Sequence, residues 1–127
     1  MLPIIVSQVA ASVGISANLL YAVCLHETGF KNVSNYNDPH NGSFGICQIN
    51  LDTAREIMPY VDRLALMQVR VNLEIAGLYL KKLSNKYNNI SHVLAAYNAG
   101  HVTYVDGTIR NHKYIDKVMN IYSKLDN

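Results

Sequence analysis

The first 26 residues of this 127-residue chain contain no Asp, Glu, Lys or Arg, so Glu27 is its first formally charged side chain. It follows a run of apolar residues that includes Leu20 and Val23. A carboxylate in apolar surroundings is disfavoured as an anion and can stay protonated near neutral pH, which is what a general acid requires. An isolated glutamate in such a place more often simply ends a buried helix at the surface, so a catalytic interpretation depends on residues further along the chain.

Cysteines and metal-binding patterns are also scarce. The two cysteines, Cys24 and Cys47, are too few to define a disulfide framework and both lie in apolar runs, so we predict buried free thiols. The five histidines show neither the His-x-x-x-His spacing of a helical site nor a cluster with cysteine. We therefore predict no metal site and no cofactor.

Charged residues make up only 16% of the chain and hydrophobic residues 50%, a composition typical of a folded globular protein. The net charge of +2 permits attraction to an anionic polymer, but the basic residues are too scattered to mark a nucleic-acid groove. Polar residues interrupt every apolar run, and the apolar start lacks the basic residues of a signal peptide. We expect a single monomeric domain over residues 1–127 that neither binds nucleic acid nor inserts into a membrane.

Hydrophobic periodicity predicts a mainly α-helical domain. Residues 31–45 are rich in Asn, Ser, Asp, Pro and Gly and are expected to form an irregular loop, with a tight turn at Asn41-Gly42. Residues 43–50 are expected to form a short strand or hairpin, and residues 101–107 a turn-rich stretch. The expected helices are 3–13, Ser16 (as N-cap) to Glu27, Asp52 (as N-cap) to Met58, 64–87 as the longest, 91–99 and 113–125.

Two further stretches have residues suited to binding a ligand. Gly42-Ser43-Phe44-Gly45-Ile46-Cys47-Gln48 contains two glycines, which let the backbone approach a ligand closely, and a glutamine, which offers both donors and acceptors. Ala96-Tyr97-Asn98-Ala99-Gly100 closes a predicted helix. Each stretch alone also fits ordinary turn or helix-end chemistry.

Together with Glu27-Thr28 and Tyr114, and in this order, the two stretches resemble the soluble lytic transglycosylases, a family that shares the goose-type lysozyme fold. That family shows Glu-Ser at a helix end, then Gly-x-x-Gly-x-x-Gln, then Ala-Tyr-Asn-x-Gly, then a tyrosine at the start of the last helix. The resemblance covers nearly the whole chain and implies a lysozyme-like α-helical domain with a small β region near residues 43–50. Thr28 in place of serine, and Ile46-Cys47 in place of Leu-Met, depart from the pattern.

The resemblance implies a peptidoglycan lytic transglycosylase, which cuts the β-1,4 bond between N-acetylmuramic acid and N-acetylglucosamine and closes a 1,6-anhydro ring. Glu27 is expected to protonate the leaving oxygen and then to take the proton of the muramyl 6-hydroxyl, assisted by the substrate's 2-acetamido group. Tyr114 is expected to place its hydroxyl on Glu27 or on the acetamido group, or else to pack in the core.

Five of the expected substrate-binding residues have a specific expected role. Tyr36 and Phe44 would stack on sugar rings, while Gln48 and Asn98 would hydrogen-bond the sugar or else cap neighbouring backbone. Cys47 would form part of a subsite wall. The full set is Thr28, Tyr36, Phe44, Cys47, Gln48, Tyr97 and Asn98.

Two other functions fit the same sequence. A hydrolytic goose-type-like lysozyme would need a second carboxylate to position a water, for which Asp38, Asp52 and Asp106 are the candidates. A catalytically idle wall-binding or phage-tail module would keep only the fold. For each, the expected partner is the peptidoglycan glycan strand, met in the periplasm or outside the cell. Without a signal peptide in this chain, we expect export by another route or delivery by a phage, as for an endolysin.

Overall fold

The computed structural model describes residues 2–125, which form a mainly α-helical fold with two small antiparallel sheets. This confirms the predicted fold class. The helices are α1 (Ile4–Val13), α2 (Ala17–Thr28), α3 (Leu51–Ile57), α4 (Arg63–Leu66), α5 (Val69–Lys86), α6 (Ile90–Ala99) and α7 (His112–Leu125). Helix α5 packs against α1 and α6, and α2 packs against α7.

Helix α2 carries Glu27 near its C-terminal end. The Ser16 side chain caps its start by accepting a hydrogen bond from the backbone N–H of Leu19 at 3.2 Å, as predicted. Gly29 ends it with a φ of 67°, a left-handed conformation that glycine adopts without a Cβ penalty. Leu20, Ala22, Val23 and Cys24 are buried, so the carboxylate stands at the end of a core helix.

The strands are β1 (Ser34–Asn35), β2 (Ser43–Phe44), β3 (Ile49–Asn50), β4 (Tyr104–Val105) and β5 (Thr108–Ile109). β1, β2 and β3 form one antiparallel sheet in that order, and β4 pairs with β5 in a hairpin. The predicted β region near residues 43–50 is confirmed. β1 and β4 lie in stretches that were predicted to be irregular or turn-rich, and β5 follows the second of these. The sequence did not indicate these strands, because a two-residue strand is too short to show an alternating pattern.

The long helix predicted over residues 64–87 is wrong, because the chain breaks between α4 and α5. Gln68 has extended backbone angles, with φ −75° and ψ 129°. The carbonyl of Leu66 accepts a hydrogen bond from the Asn72 side-chain amide at 2.9 Å. A continuous helix would use this carbonyl for an internal hydrogen bond, but here it accepts from the Asn72 side chain. The apolar residues keep their helical spacing across the break, so the sequence indicated a single helix.

The prediction that Asp52 caps α3 is also wrong. Asn50 occupies the N-cap position without a side-chain capping bond, and Asp52 lies in the first turn of the helix. There its carboxylate accepts a hydrogen bond from the Asn41 amide at 2.8 Å. An acidic side chain in the first turn still stabilises the helix through the helix dipole. Asp52 therefore does mark the start of α3, but it lies after the N-cap position and not at it.

The predicted free thiols are contradicted, because Cys24 and Cys47 form a disulfide across 23 residues of sequence. Both residues are fully buried. Each apolar run contributes to the same core, and the fold brings the two runs together in the region that joins α2 to the segment before β3. Burial of both cysteines was therefore predicted correctly, but not their contact.

Candidate active site

A cleft of about 400 Å³ opens beside the C-terminal end of α2. It is lined by residues of α2, of the first sheet and its connecting segments, of the start of α3, and of α5 and α6. The lining residues are Glu27, Asn35, Asp38, Ser43, Gln48, Ile49, Asn50, Thr53, Tyr79, Tyr97 and Asn98. The structure thus brings together three elements of the sequence pattern: the glutamate, the glycine-rich segment and the Ala-Tyr-Asn stretch.

The Glu27 carboxyl group is half-buried, and burial raises its pKa to about 7 from a usual value of 4.5. Loss of hydration is the main cause, and an interaction with the Tyr114 hydroxyl partly offsets it. A carboxyl group with a pKa near 7 is half-protonated at neutral pH and can both donate and accept a proton there. Glu27 therefore has the protonation behaviour of a general acid and base.

Two buried tyrosine hydroxyls accompany this carboxyl group. The hydroxyls of Tyr97 and Tyr114 are shielded from solvent and lack a well-formed hydrogen bond within residues 2–125. Burial, followed by the nearby Glu27 charge, raises the pKa of both phenols. Both hydroxyls are therefore protonated at neutral pH and available as donors, and a buried donor without a fixed partner is uncommon enough to suggest a functional role.

Aromatic neighbours hold these two rings in place. The Tyr97 ring lies 5.3 Å from that of Tyr79, and the Tyr114 ring lies 5.2 Å from His26 in an edge-on contact. Such contacts fix ring orientation. Burial, with a smaller contribution from Lys117, lowers the pKa of His26, so that ring is neutral at pH 7 and adds no positive charge beside Tyr114.

Tyr114→Phe should reduce the rate of cleavage roughly tenfold to a hundredfold, the cost of one charge-assisted hydrogen bond to Glu27. Stability should hardly change, because the hydroxyl that is removed has no well-formed hydrogen bond in the folded protein. Thermal melting and initial rates on purified walls measure the two effects. An unchanged rate together with a lower melting temperature would mean that the ring only packs.

Gln48 also lines the cleft, and contacts within the chain occupy its side-chain amide. Its Nε2 group donates to the carbonyls of Val33 and Gly45 at 2.9 and 3.0 Å, and its Oε1 atom accepts a short hydrogen bond from Asn35. Gln48 also has a φ of 48°, a strained value for a residue with a side chain. These contacts hold Gln48 in the cleft wall. A ligand that bonds its amide oxygen would have to share that oxygen with Asn35.

Asn98 and Thr28 also have partners within the chain. Asn98 is exposed in the cleft, where its Oδ1 atom accepts a hydrogen bond from Asn111 at 2.9 Å. Thr28 donates to the carbonyl of Ile46 at 2.7 Å, which ties the end of α2 to the glycine-rich segment, and it is not among the lining residues. Asn98 therefore has its Nδ2 group free for a ligand, whereas the Thr28 hydroxyl holds backbone.

Besides Thr28, three other predicted binding residues lie outside the cleft. Phe44 is fully buried, so the prediction that its ring stacks on a sugar is wrong; an inward-facing β-strand position fixes it in the core. Cys47 is fully buried in the disulfide and does not form a subsite wall. Tyr36 is 67% exposed, packs edge-on against Phe44 and does not line the cleft.

The sequence analysis missed several residues of the site, among them Tyr79 and Asn72. Tyr79 lies in α5 and lines the cleft. It was missed because the sequence analysis interpreted this helix as purely structural. Asn72 is fully buried in α5, and its amide bonds the backbone of the glycine-rich segment, donating to the carbonyl of Phe44 at 2.8 Å and accepting from the N–H of Cys47 at 2.8 Å. A polar residue on the apolar face of a helix was the available signal for Asn72.

Gly45 is required where Asn72 meets this segment. Its φ is 81°, and a Cβ atom there would collide with the Asn72 amide. Glycine alone satisfies both the backbone conformation and the close approach. The second glycine of the motif therefore serves the contact between the segment and α5.

Neither a metal site nor a membrane span is present in the part of the chain that the structure describes. Over residues 2–125, no three His, Cys, Asp or Glu side chains are grouped so that they could hold a metal ion. Across the same residues, each helix is too short or too polar to cross a bilayer.

Comparisons with known proteins agree with this geometry. A family model described as a transglycosylase SLT domain matches residues 5–120. A crystal structure of an inactive mutant of the lytic transglycosylase Slt from Pseudomonas aeruginosa aligns with a TM-score of 0.66 and 24% identity, covering 75% of this chain and 16% of that one. That likeness shows the fold, and the chain spans about a sixth of that protein. Curated proteins give no match.

Proposed function

This chain belongs to the transglycosylase SLT domain family, and we propose that it cleaves the glycan strand of peptidoglycan at the β-1,4 bond between N-acetylmuramic acid and N-acetylglucosamine, leaving a 1,6-anhydro end. The observation that carries the proposal is Glu27, a half-buried carboxyl group with a pKa near 7 on the wall of a cleft. The domain would act on the cell wall, in the periplasm or outside the cell.

Glu27 serves as acid and then as base in this proposal. In its protonated form it donates to the glycosidic oxygen while the substrate's 2-acetamido group supports the anomeric carbon. The resulting carboxylate then takes the proton of the muramyl 6-hydroxyl as that oxygen attacks the same carbon, and Glu27 returns to its starting form. Tyr114 donates to the Glu27 carboxylate, and Asn98 offers its side-chain amide to the sugar. Tyr97, whose hydroxyl is shielded from solvent, forms part of the cleft wall under the sugar.

Cleavage should depend on the protonation state of Glu27. Because the carboxyl group must begin protonated, kcat/KM should be high below its pKa and fall as the pH rises through about 7. Initial rates on purified walls between pH 5 and 9 measure this limb, with circular dichroism over the same range as the control for folding. A rate that stays level up to pH 9 with the fold intact would contradict the role of Glu27 as acid.

A hydrolytic reaction is the second candidate, because Asp38 lines the same cleft as Glu27. A second carboxylate on the cleft wall is what a water-activating mechanism requires. Asp52 and Asp106 do not line this cleft. Asp38→Asn separates the two reactions: a transglycosylase should keep most of its rate, whereas a hydrolase that uses Asp38 as base should lose roughly a hundredfold or more.

A turbidity assay on bacterial walls tests the proposal as a whole. Wild-type protein should clear the suspension, and Glu27→Gln protein of the same purity should not. Wild-type protein that binds walls without clearing them would support the catalytically idle module instead.

A further inference from the structure

The disulfide connects two segments that each contribute a residue to the cleft. Cys24 lies one helical turn before Glu27 in α2, and Cys47 immediately precedes Gln48 in the glycine-rich segment. The bond holds the two Cα atoms 4.2 Å apart. The backbone that positions the acid and the backbone that positions Gln48 are therefore joined covalently at this bond.

We infer that the Cys24–Cys47 disulfide is a positioning element for the reaction, and that the domain reaches full activity only in its oxidised form. The inference rests on the proposed function for its kinetic consequence. Its structural consequence, a change in how Glu27 and Gln48 are placed, is independent of that function and can be measured separately.

Reduction would force the two segments apart. Bonded sulfur atoms lie about 2.05 Å apart, whereas two unbonded heavy atoms in contact need roughly 3.5–4 Å. The thiols would therefore have to separate by more than about 1 Å. Both cysteines and the neighbouring Phe44 are fully buried, so there is no solvent-exposed space for the sulfur atoms to enter.

Hydrogen bonds on the core side of the segment resist this separation, so we expect the displacement on the side that faces the cleft. Asn72 holds the N–H of Cys47, and Thr28 at the end of α2 holds the carbonyl of Ile46. These two bonds hold the core side of the segment, so a displacement of Cys47 is passed to the next residue, Gln48, and strains the hydrogen bonds that hold its side chain in the cleft wall. A shift of 1 Å in the placement of catalytic groups can cost about a hundredfold in rate.

The redox step itself needs only a dithiol reductant. Dithiothreitol donates two electrons and two protons, the S–S bond breaks, two S–H groups form, and the reductant becomes a cyclic disulfide. Because both sulfur atoms are buried, reduction requires a local opening of the segment, so it should be slow without mild denaturant. Alkylation and mass measurement establish the fraction reduced.

The kinetic test compares oxidised and fully reduced protein on purified walls at 10 °C, where folding is verified by circular dichroism. We expect kcat to fall roughly tenfold to a hundredfold on reduction, with little change in KM. Cys24→Ala/Cys47→Ala is the control for the reductant, because its rate should not respond to dithiothreitol. Leu83→Ala is the control for lost stability, since it opens a cavity in α5 about 16 Å from Asn72 while the disulfide stays intact.

The kinetic result decides between a positioning role and a purely stabilising one. A stabilising disulfide would lower the melting temperature on reduction and leave kcat of the folded protein unchanged, as we expect for Leu83→Ala. That outcome, with reduction verified, would overturn the inference.

A structural measurement keeps the inference testable even if the oxidised protein cleaves nothing. In isotope-labelled protein, the carboxyl resonance of Glu27 and the side-chain amide resonances of Gln48 should both shift on reduction, as should the titration midpoint of Glu27. If these signals stay in place while the cysteine resonances report full reduction, the disulfide does not position the cleft. Inactivity of the oxidised protein would by contrast count only against the proposed function.

Discussion

Glu27→Gln should abolish wall cleavage, lowering the rate by about a thousandfold or more, while the protein remains folded. The amide has nearly the same shape as the protonated carboxyl group but cannot transfer a proton, and general acid–base catalysis is worth about 10²–10⁴ in rate. In the proposed mechanism Glu27 transfers a proton twice, so both steps fail. Release of soluble muropeptides per mole of folded protein is the quantity to measure.

The same substitution has a second signature in stability. Burial raises the pKa of Glu27 from 4.5 to about 7 in the folded protein, so the folded state holds its proton more tightly than the unfolded state does. Wild-type stability should therefore be greatest below pH 4.5 as far as this group is concerned, fall between pH 4.5 and 7, and level off above. After a discount for its partial exposure, the loss should be roughly 1–3 kcal/mol.

Glu27→Gln should remove that pH-dependent loss, since an amide does not titrate. Urea unfolding at pH 5 and pH 8 measures it, and the wild type should lose more stability than the variant between the two. If the variant kept full activity, Glu27 would not be the acid. If the two proteins showed the same pH dependence of stability, the Glu27 carboxyl group would not be desolvated as described.

Asn72→Ala is expected to have the largest effect on stability, a loss of roughly 3–5 kcal/mol or about 10–20 °C in melting temperature. The Asn72 side chain is fully buried and satisfies three backbone groups: the N–H of Cys47 and the carbonyls of Phe44 and Leu66. Its removal leaves those groups without partners in the core and also leaves a cavity. The glycine-rich segment and the start of α5 lose their common attachment.

Asn85→Ala is the matched control for this substitution, because Asn85 lies in the same helix but is exposed. It should change the free energy of unfolding by less than about 0.5 kcal/mol. Denaturant melts of both variants measure the contrast. A small loss for Asn72→Ala, similar to that for Asn85→Ala, would mean that water or a rearranged segment replaces the three hydrogen bonds.

Local signals in the sequence were sufficient to predict the main elements of the fold. Ser16 and Gly29 mark the two ends of α2 by capping chemistry that depends only on neighbouring residues. The uncharged first 26 residues predicted correctly that Glu27 would follow a buried helix. The meeting of the glycine-rich and Ala-Tyr-Asn stretches with Glu27 was implied only by the resemblance to the lytic transglycosylases, and residues from both stretches line its cleft.

Contacts between distant parts of the chain were not predictable in the same way. The disulfide depends on where Cys24 and Cys47 meet, and nothing in either run indicates the other as its partner. At the break between α4 and α5 the Asn72 amide bonds the carbonyl of Leu66, a contact that the spacing of the apolar residues does not indicate. Phe44 was expected to stack on a sugar ring, whereas its position in β2, paired with β1 and β3, places its ring in the core.

Analysis of the reaction product tests the central proposal most directly. The muramyl 6-hydroxyl is tethered to the reacting sugar and has an effective molarity that can reach about 10⁵ M or more, so it should outcompete water where the cleft holds the ring correctly. Purified walls would be digested in water enriched in oxygen-18, and the released muropeptides weighed by mass spectrometry. We predict 1,6-anhydro products, lighter by one water than hydrolysis products and free of oxygen-18. Reducing ends that carry one oxygen-18 atom would contradict the transglycosylase mechanism and indicate hydrolysis, for which Asp38 is the candidate base.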